Sequence, residues 1–364
     1  MRRNEIWMRR ALELAQKGGD RTRPNPLVGA VVVRNEKLIS EGYHVEFGGP
    51  HAEVSALRKA GPKARGATLY VTLEPCSSWG KTPPCVDWVI ESGIRKAVIG
   101  RTDPNPQNHL KGIRRLRQAG IRVETGILGE EAEKQNEAFF KTMRTSLPFV
   151  TLKMAQSLDG KIATRAGESR WISSGPARAF VRRLRDHSDA VLIGKNTLLQ
   201  DDPLLSGSNG CEKPWRVVLD PKLDLQSDAR VFQGPQLTLV AVSDRRLKEI
   251  PKKTQGKGKV FLPVPETKGR FDLRNLLKKL AALGVQNLLV EGGGEVAWSF
   301  IRERLADRLI WIVAPKIIGG RDARTSVEGE GIDGLQKAYP LKWDSVYRLG
   351  PDFVFEARLC SQAS

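Results

Sequence analysis

Three residues of the zinc-ligating kind stand far apart in one short region, and few folds can bring them together. His51 follows Gly48-Gly49-Pro50 at the start of a helical stretch, Cys76 follows Pro75 at the end of an apolar run, and Cys85 follows Pro83-Pro84 at the start of the next helical stretch. One imidazole and two thiolates suit zinc. A structural zinc usually takes four protein ligands, whereas a catalytic zinc keeps one position for water, so a set of three points to catalysis. Zinc lowers the pKa of its water to about 7. Glu53, two residues beyond His51, shares its first helical turn and can move a proton between water and a leaving group without being a ligand. His44 reads equally as a pocket residue or a solvent-facing one. A Cys76–Cys85 disulfide is the competing reading, and a cytosolic setting argues against it.

An HxE element joined to Pro-Cys and a second Cys is the pattern of zinc deaminases acting on nucleobases. The nucleic-acid enzymes of that class space their cysteines as CxxC. Here eight residues, Ser77 to Pro84, lie between them, which points to a different branch of the fold.

The rest of the composition sets bounds. At 364 residues with 40% hydrophobic residues, two domains with ordinary cores are expected. Four cysteines do not make a disulfide framework, and Cys211 and Cys360 read as ordinary core or surface thiols. No run of eighteen apolar residues suggests a membrane span, and Met1–Glu5 lack the apolar stretch of a secretory signal, so a cytoplasmic protein is expected. The net charge of +19 is shared evenly between the two halves, which suits attraction of phosphorylated small molecules at least as well as a nucleic-acid groove. A homo-oligomer is compatible with all of this.

Periodicity organises the chain. Residues 27–33 and 38–42 form a hairpin pattern around Arg34-Asn35-Glu36-Lys37. Helices are expected over 7–15, 52–60, 85–92, 112–119 and 130–144, with strands over 67–73, 96–99 and 122–125. Thr145-Ser146-Leu147-Pro148 breaks the pattern, placing a domain boundary between residues 146 and 147. Beyond it, strands over 149–154, 190–193, 215–219, 237–242, 287–291 and 308–314 alternate with helices over 178–185, 272–283 and 295–304. That alternation predicts an α/β domain with a mainly parallel sheet. Gly292-Gly293-Gly294, between a strand and a helix, can let backbone amides approach a phosphate, or can be a simple turn.

Longer segments carry a resemblance. His51-Ala52-Glu53-Val54, Leu73-Glu74-Pro75-Cys76, Gly80-Lys81-Thr82-Pro83-Pro84-Cys85, Pro24-Asn25-Pro26-Leu27-Val28-Gly29 and Asp103-Pro104-Asn105-Pro106 resemble the bifunctional deaminase–reductase family of riboflavin biosynthesis. So do Ser157-Leu158-Asp159-Gly160-Lys161, Gly167-Glu168-Ser169-Arg170-Trp171-Ile172 and Asp201-Asp202-Pro203 in the second half. The resemblance implies a cytidine-deaminase-like α/β/α sandwich over 1–146 and a dihydrofolate-reductase-like α/β domain over 147–364. It implies zinc-dependent removal of the 2-amino group of a ribosylaminopyrimidinone 5′-phosphate, followed by NADPH reduction of the ribosyl group. Zinc would sit on His51, Cys76 and Cys85, with Glu53 catalytic and Asn25 and His44 facing the substrate. In the second half, Ala155, Trp171, Thr197, Asp201, Gly293, Gly294, Glu295, Val296, Ala297, Trp298 and Ser299 match cofactor positions. Ser169, Arg185, Leu205 and Glu291 match substrate positions. Lys153 is chosen as a polar group near the reduced sugar carbon, and Arg170, Arg182 and Arg183 would add positive charge. The chain departs from the family at Ser78 and Ser55, where His is common, and over Ser206-Gly207-Ser208, where an Arg for the substrate is usual. The alternative reading is a tRNA deaminase whose second half is a nucleic-acid-binding module.

Overall fold

The computed structural model describes residues 3–208, 214–223, 225, 229–250, 258–267 and 269–360, so Cys211 lies outside the described residues. The chain separates into two compact units, Met1–Ser146 and Leu147–Ser364.

The first unit runs α1 (Arg3–Gln16), β1 (Gly29–Arg34), β2 (Lys37–Tyr43), α2 (Ala52–Ala60), β3 (Thr68–Leu73), α3 (Cys85–Glu91), β4 (Lys96–Arg101), α4 (Lys111–Gln118), β5 (Arg122–Thr125), α5 (Gly129–Gln135) and α6 (Glu137–Thr145). The sheet order is β2-β1-β3-β4-β5. β1 pairs antiparallel with β2 and β3, while β3, β4 and β5 are parallel. The β1–β2 turn puts Asn35 and Glu36 at positive φ, the geometry whose twist matches a hairpin. Side chains alternate across the sheet. Ala30, Val32, Leu69 and Val71 pack with α2, α3 and α4 through Ala56, Val86, Val89 and Leu116. Val31, Val33, Tyr70 and Val98 pack with α1 through Met8, Ala11 and Leu14. A sheet covered on both faces explains why β1 reads as an unbroken apolar run.

The expected single helix over 130–144 is two helices, α5 and α6, parted at Asn136 (φ −123°, ψ 25°). Asn136 is buried and its amide is committed elsewhere: Oδ1 accepts from Leu27 N at 2.7 Å and Nδ2 donates to Leu27 O at 2.9 Å. This long-range pairing anchors the approach to β1 and competes with helical continuity.

The second unit runs β6 (Phe149–Ser157), α7 (Gly175–Asp186), β7 (Ala190–Gly194), α8 (Lys195–Asp201), β8 (Trp215–Leu219), β9 (Thr238–Ser243), β10 (Lys259–Val264), β11 (Glu266–Thr267), β12 (Arg270–Phe271), α9 (Leu273–Ala282), β13 (Asn287–Val290), α10 (Gly294–Arg302), β14 (Arg308–Ala314), β15 (Leu341–Leu349) and β16 (Asp352–Leu359). Its main sheet has the order β10-β9-β8-β7-β13-β6-β14-β16-β15. Neighbours from β10 to β14 are parallel, and β16 and β15 close the sheet antiparallel. α9 and α10 cover one face through Leu276, Leu280, Ala297 and Phe300. On the opposite face α7 packs through Ala177 and Val181, and α8 through Leu198. Asp272 caps α9 by accepting from Asn275 N at 2.9 Å. No helix among the described residues is long and apolar enough to cross a membrane.

Candidate metal centre and reductase cleft

Three backbone features aim the first site. His51 is the N-cap of α2, Cys76 lies three residues past the end of β3, and Cys85 is the first residue of α3. His51 Nδ1 lies 3.1 Å from Cys85 Sγ and 3.6 Å from Cys76 Sγ, and Cys85 N donates to Cys76 Sγ at 3.2 Å. Among the described residues these three form a group that could hold a metal ion, with ligand atoms all within 4.8 Å of one another. A tetrahedral zinc with bonds of about 2.1 Å to nitrogen and 2.3 Å to sulfur needs ligands at such spacings. The proton chemistry agrees. Hydrogen bonding from Cys85, then from His51, pulls the Cys76 thiol down to about 4 against its burial, while the same pairing and burial push Cys85 up. The hydrogen bond with Cys76 raises His51 against its burial. Two sulfurs and an imidazole that share protons this closely offer a cation the place those protons hold.

Glu53, in the first turn of α2, is 3% exposed and interacts with the Cys85 thiol. Burial pushes its carboxyl up to about 7, opposed by His51 and aided by Cys76. His44 is buried, not solvent-facing. Burial lowers its pKa, so the neutral ring is favoured. Nδ1 then donates to Pro50 O at 3.1 Å and Nε2 accepts from Asn25 Nδ2 at 3.2 Å. Its ring meets His51 edge-on at 5.1 Å between centroids.

The Pro75-Cys76 turn is held from below. Glu74 is buried and its carboxylate accepts from Asp103 N, Leu110 N and Ile113 N at 3.1–3.2 Å, at the entry to α4. Helix α4 approaches so closely that a Cβ on Gly112 would lie 2.2 Å from Pro75 O. Backbone against backbone cannot yield cheaply. Gly112→Ala is expected to destabilise the chain by about 2 kcal/mol or more, read by thermal unfolding of the full chain. Wild-type melting and zinc content in that variant would contradict the close packing.

The second site is a cleft of about 1030 Å³ lined by residues at and beyond the carboxyl ends of β7, β8 and β13, and by Lys153 and Ala155 of β6. At its floor Glu291, 8% exposed, receives two cations. Arg185 Nε donates to Oε1 at 2.6 Å and Nη2 to Oε2 at 3.0 Å, while Lys153 Nζ donates to Oε2 at 3.0 Å. Burial opposes ionisation of Glu291, but attraction to Arg185, then to Lys153, with both hydrogen bonds, holds its pKa at about 2. Ser169 Oγ donates to Asp201 Oδ1. The Arg178 guanidinium stacks 4.5 Å over the exposed Trp171 ring. A Cβ on Gly294 would meet Glu328 Cγ at 2.5 Å and Thr325 O at 2.6 Å, so the 325–328 segment packs onto the start of α10.

The cleft gathers Lys153, Ala155, Ser169, Trp171, Arg185, Thr197, Asp201, Leu205, Glu291, Gly293, Gly294, Glu295, Val296 and Ser299. It does not gather Ala297 and Trp298, which the sequence resemblance placed at the cofactor. The turn of α10 directs Ala297 into the main core and packs the Trp298 ring edge-on against Tyr339 at 5.9 Å. Arg170 and Arg182 line the cleft, whereas Arg183 lies 6.0 Å over the Phe180 ring and is not among the lining residues. Sequence reasoning missed α8, Asn196, Arg178 and Arg324, which also line the cleft. Arg178 and Trp171 meet across a non-periodic segment, so no local pattern announces them.

Comparisons with known proteins agree with this division. Residues 1–101 match the family described as the cytidine and deoxycytidylate deaminase zinc-binding region, and residues 148–355 match the RibD C-terminal domain. Riboflavin biosynthesis protein RibD of Aquifex aeolicus (strain VF5) is 43% identical over 350 residues, covering 96% of each chain. The protein of the same name from Escherichia coli (strain K12) is 40% identical, covering 96% of this chain and 97% of its own. Among solved structures, Acinetobacter baumannii RibD superposes with a TM-score of 0.89 at 36% identity over 99% of both chains. The Thermotoga maritima diaminohydroxyphosphoribosylaminopyrimidine deaminase/5-amino-6-(5-phosphoribosylamino)uracil reductase does so at 0.86 and 37% identity, covering 98% of this chain and 99% of its own. The first unit is thus a cytidine-deaminase-like domain and the second a dihydrofolate-reductase-like one, which does not favour the reading as a tRNA deaminase. With a zinc-binding deaminase domain joined to an NADPH-dependent reductase domain, the chain belongs to the RibD family of bifunctional riboflavin-biosynthesis enzymes.

Proposed function

We propose that the first unit removes the 2-amino group of 2,5-diamino-6-ribosylamino-4(3H)-pyrimidinone 5′-phosphate by hydrolysis, and that the second reduces the resulting 5-amino-6-(5-phosphoribosylamino)uracil to its ribitylamino form. The observation that carries the reading is the convergence of His51, Cys76 and Cys85 beside the buried Glu53 carboxyl. Zinc bound there supplies water activated at neutral pH. Glu53 takes a proton from the attacking water and returns it to the departing amine, which leaves as ammonia. Asn25, with Nδ2 given to the neutral His44, keeps Oδ1 to accept from a substrate amino group.

NADPH, when bound in the second unit, would supply the hydride that adds to the sugar carbon. Ala155, Trp171, Thr197, Asp201, Gly293, Gly294, Glu295, Val296 and Ser299 are the cleft residues assigned to hold it. Ala297, packed in the main core, and Trp298, set against Tyr339, do not line this cleft and leave that assignment. Ser169, Arg185, Leu205 and Glu291 are assigned to the substrate, and Lys153 to the sugar carbon that is reduced. Two cations against one Glu291 carboxylate, with Arg170 and Arg182 nearby, leave the wall positive, which favours phosphorylated ligands. The reading includes a cytoplasmic setting, where the Cys76 and Cys85 thiols stay reduced.

The test is to incubate the protein with the pyrimidine phosphate and NADPH and to follow ammonia and NADPH. Release of neither product signal, with deaminated tRNA instead, would sink the reading. Removing the metal with a strong chelator is expected to abolish ammonia release and spare NADPH consumption with the deaminated intermediate. Readdition of zinc should restore the first. NADPH oxidation that stops on chelation would contradict a metal-free reductase site.

A further inference from the structure

Behind the metal centre lies a buried polar network that the deamination chemistry does not use. Asp103 and Asn108 are 4% and 7% exposed. Asp103 Oδ2 accepts from Asn108 Nδ2 at 3.0 Å, and Asp103 Oδ1 accepts from Asn105 N at 2.8 Å. A carboxylate acceptor fixes which way the Asn108 amide faces, because only its nitrogen can donate. Asn108 Oδ1 is therefore turned to the loop after Cys76. There it accepts from Ser77 N at 3.2 Å, from Ser78 Oγ at 2.9 Å and from Ser77 Oγ at 3.5 Å.

Ser77 N and Cys76 O belong to one peptide unit. Its nitrogen donates to Asn108, and its oxygen accepts from Val86 N at 3.2 Å, in the first turn of α3. Both polar ends of the plane next to the Cys76 thiol are thereby held. Holding this plane restricts rotation about ψ of Cys76, and so restricts where its Cβ and Sγ can stand. Its other anchor is the helix that begins with Cys85, so both sulfurs are referenced to the same peptide unit.

We propose that Asn108, oriented by Asp103, is a positioning residue for the Cys76 ligand and for the Ser77-Ser78 segment at the deamination site. It touches no ligand atom and acts through the Cys76–Ser77 peptide. Ser78, which stands where the family commonly has His, takes part in this network through its hydroxyl. The proposal rests on the zinc-deaminase reading of the first unit.

The test measures zinc affinity by competition with a chromogenic chelator in the full chain, alongside ammonia release and thermal unfolding. Asn108→Ala is expected to lose roughly 10–100-fold in zinc affinity, the scale seen when groups that orient ligands are removed. Reduction of the deaminated intermediate by the same sample should be unchanged. Asn108→Asp sets a second carboxylate against Asp103 and should weaken zinc similarly. Adding Asp103→Asn to it reverses the donor and acceptor of that bond while keeping an acceptor for Ser77 N, and should restore affinity to within a few-fold of wild type. Wild-type zinc affinity in Asn108→Ala overturns the positioning role. So does a double variant no better than Asn108→Asp alone, which decides the matter even if the alanine variant fails to fold. Wild-type protein that neither binds zinc nor releases ammonia overturns the functional reading instead, and this role with it.

Discussion

Glu53→Ala is expected to stop ammonia release while NADPH-dependent reduction of the deaminated intermediate proceeds at the wild-type rate. The drop should be on the order of 10³-fold or more, the upper part of what a positioned proton shuttle contributes. Two features set the size. Glu53 is buried, so bulk water has poor access to replace it. It also sits two residues from the His51 ligand, in the first turn of α2, so its carboxyl is held by the same backbone that aims the metal. Zinc content measured in the same sample separates loss of the shuttle from loss of the metal. Glu53→Gln, which keeps the shape and removes the titratable oxygen, should be nearly as inactive. Ammonia release within tenfold of wild type would remove Glu53 from the shuttle role. Loss of both activities in a folded variant would contradict two separate sites.

Glu291→Ala should have the larger structural effect. It leaves the Lys153 ammonium and the Arg185 guanidinium, with side chains 12% and 19% exposed, facing each other without their shared carboxylate. Breaking one member of a buried charged set typically destabilises by about 3–5 kcal/mol. For a unit of this size that is a fall of about 6–20 °C in Tm. Reduction should be lost, because both cations leave their positions in the cleft, whereas ammonia release should survive below the new melting point. Acid brings out the same ion cluster. The folded-state pKa of Glu291, about 2, lies below its ordinary 4.5. Below pH 4.5 the unfolded carboxyl therefore binds its proton first, and folding loses the advantage progressively as pH falls through about 2. The stabilisation is fully present above 4.5. Glu291→Gln should flatten this part of the acid-side slope in denaturant titrations between pH 5 and pH 2. An unchanged slope would show that Glu291 titrates alike in the folded and unfolded chains.

The metal set was legible early because its chemistry is carried by residue type. Few arrangements other than a zinc site need His51, Cys76 and Cys85 next to helix starts and a strand end, and the structure brings their ligand atoms within 4.8 Å. Local punctuation was legible too. Gly93, Gly120 and Gly284 follow α3, α4 and α9 at positive φ, where a side chain is strained, so the ends of these helices were readable from composition. Elements whose cause is remote were not. The break at Asn136 depends on Leu27, more than a hundred residues away, and periodicity carries no trace of it. The C-terminal hairpin β15–β16 went unread because a register shift between Trp343 and Ser345 interrupts the alternation of β15, whose residues are largely exposed.

Site residues divide along the same line. The sequence by itself determined the metal donors, the neighbouring carboxylate, the α/β alternation and, through extended motifs, the family, because each rests on residue identity and short spacing. Tertiary structure decided which faces of those segments do the work. It buried His44 and paired it with Asn25, turned Ala297 and Trp298 away from the cofactor cleft, and brought Lys153, Arg185 and Glu291 from β6, α7 and the end of β13 into one ion cluster. The physical reason is range. Helix and turn signals act over a few residues, whereas hydrogen bonds and ion pairs between distant segments exist only after the sheets have set their register.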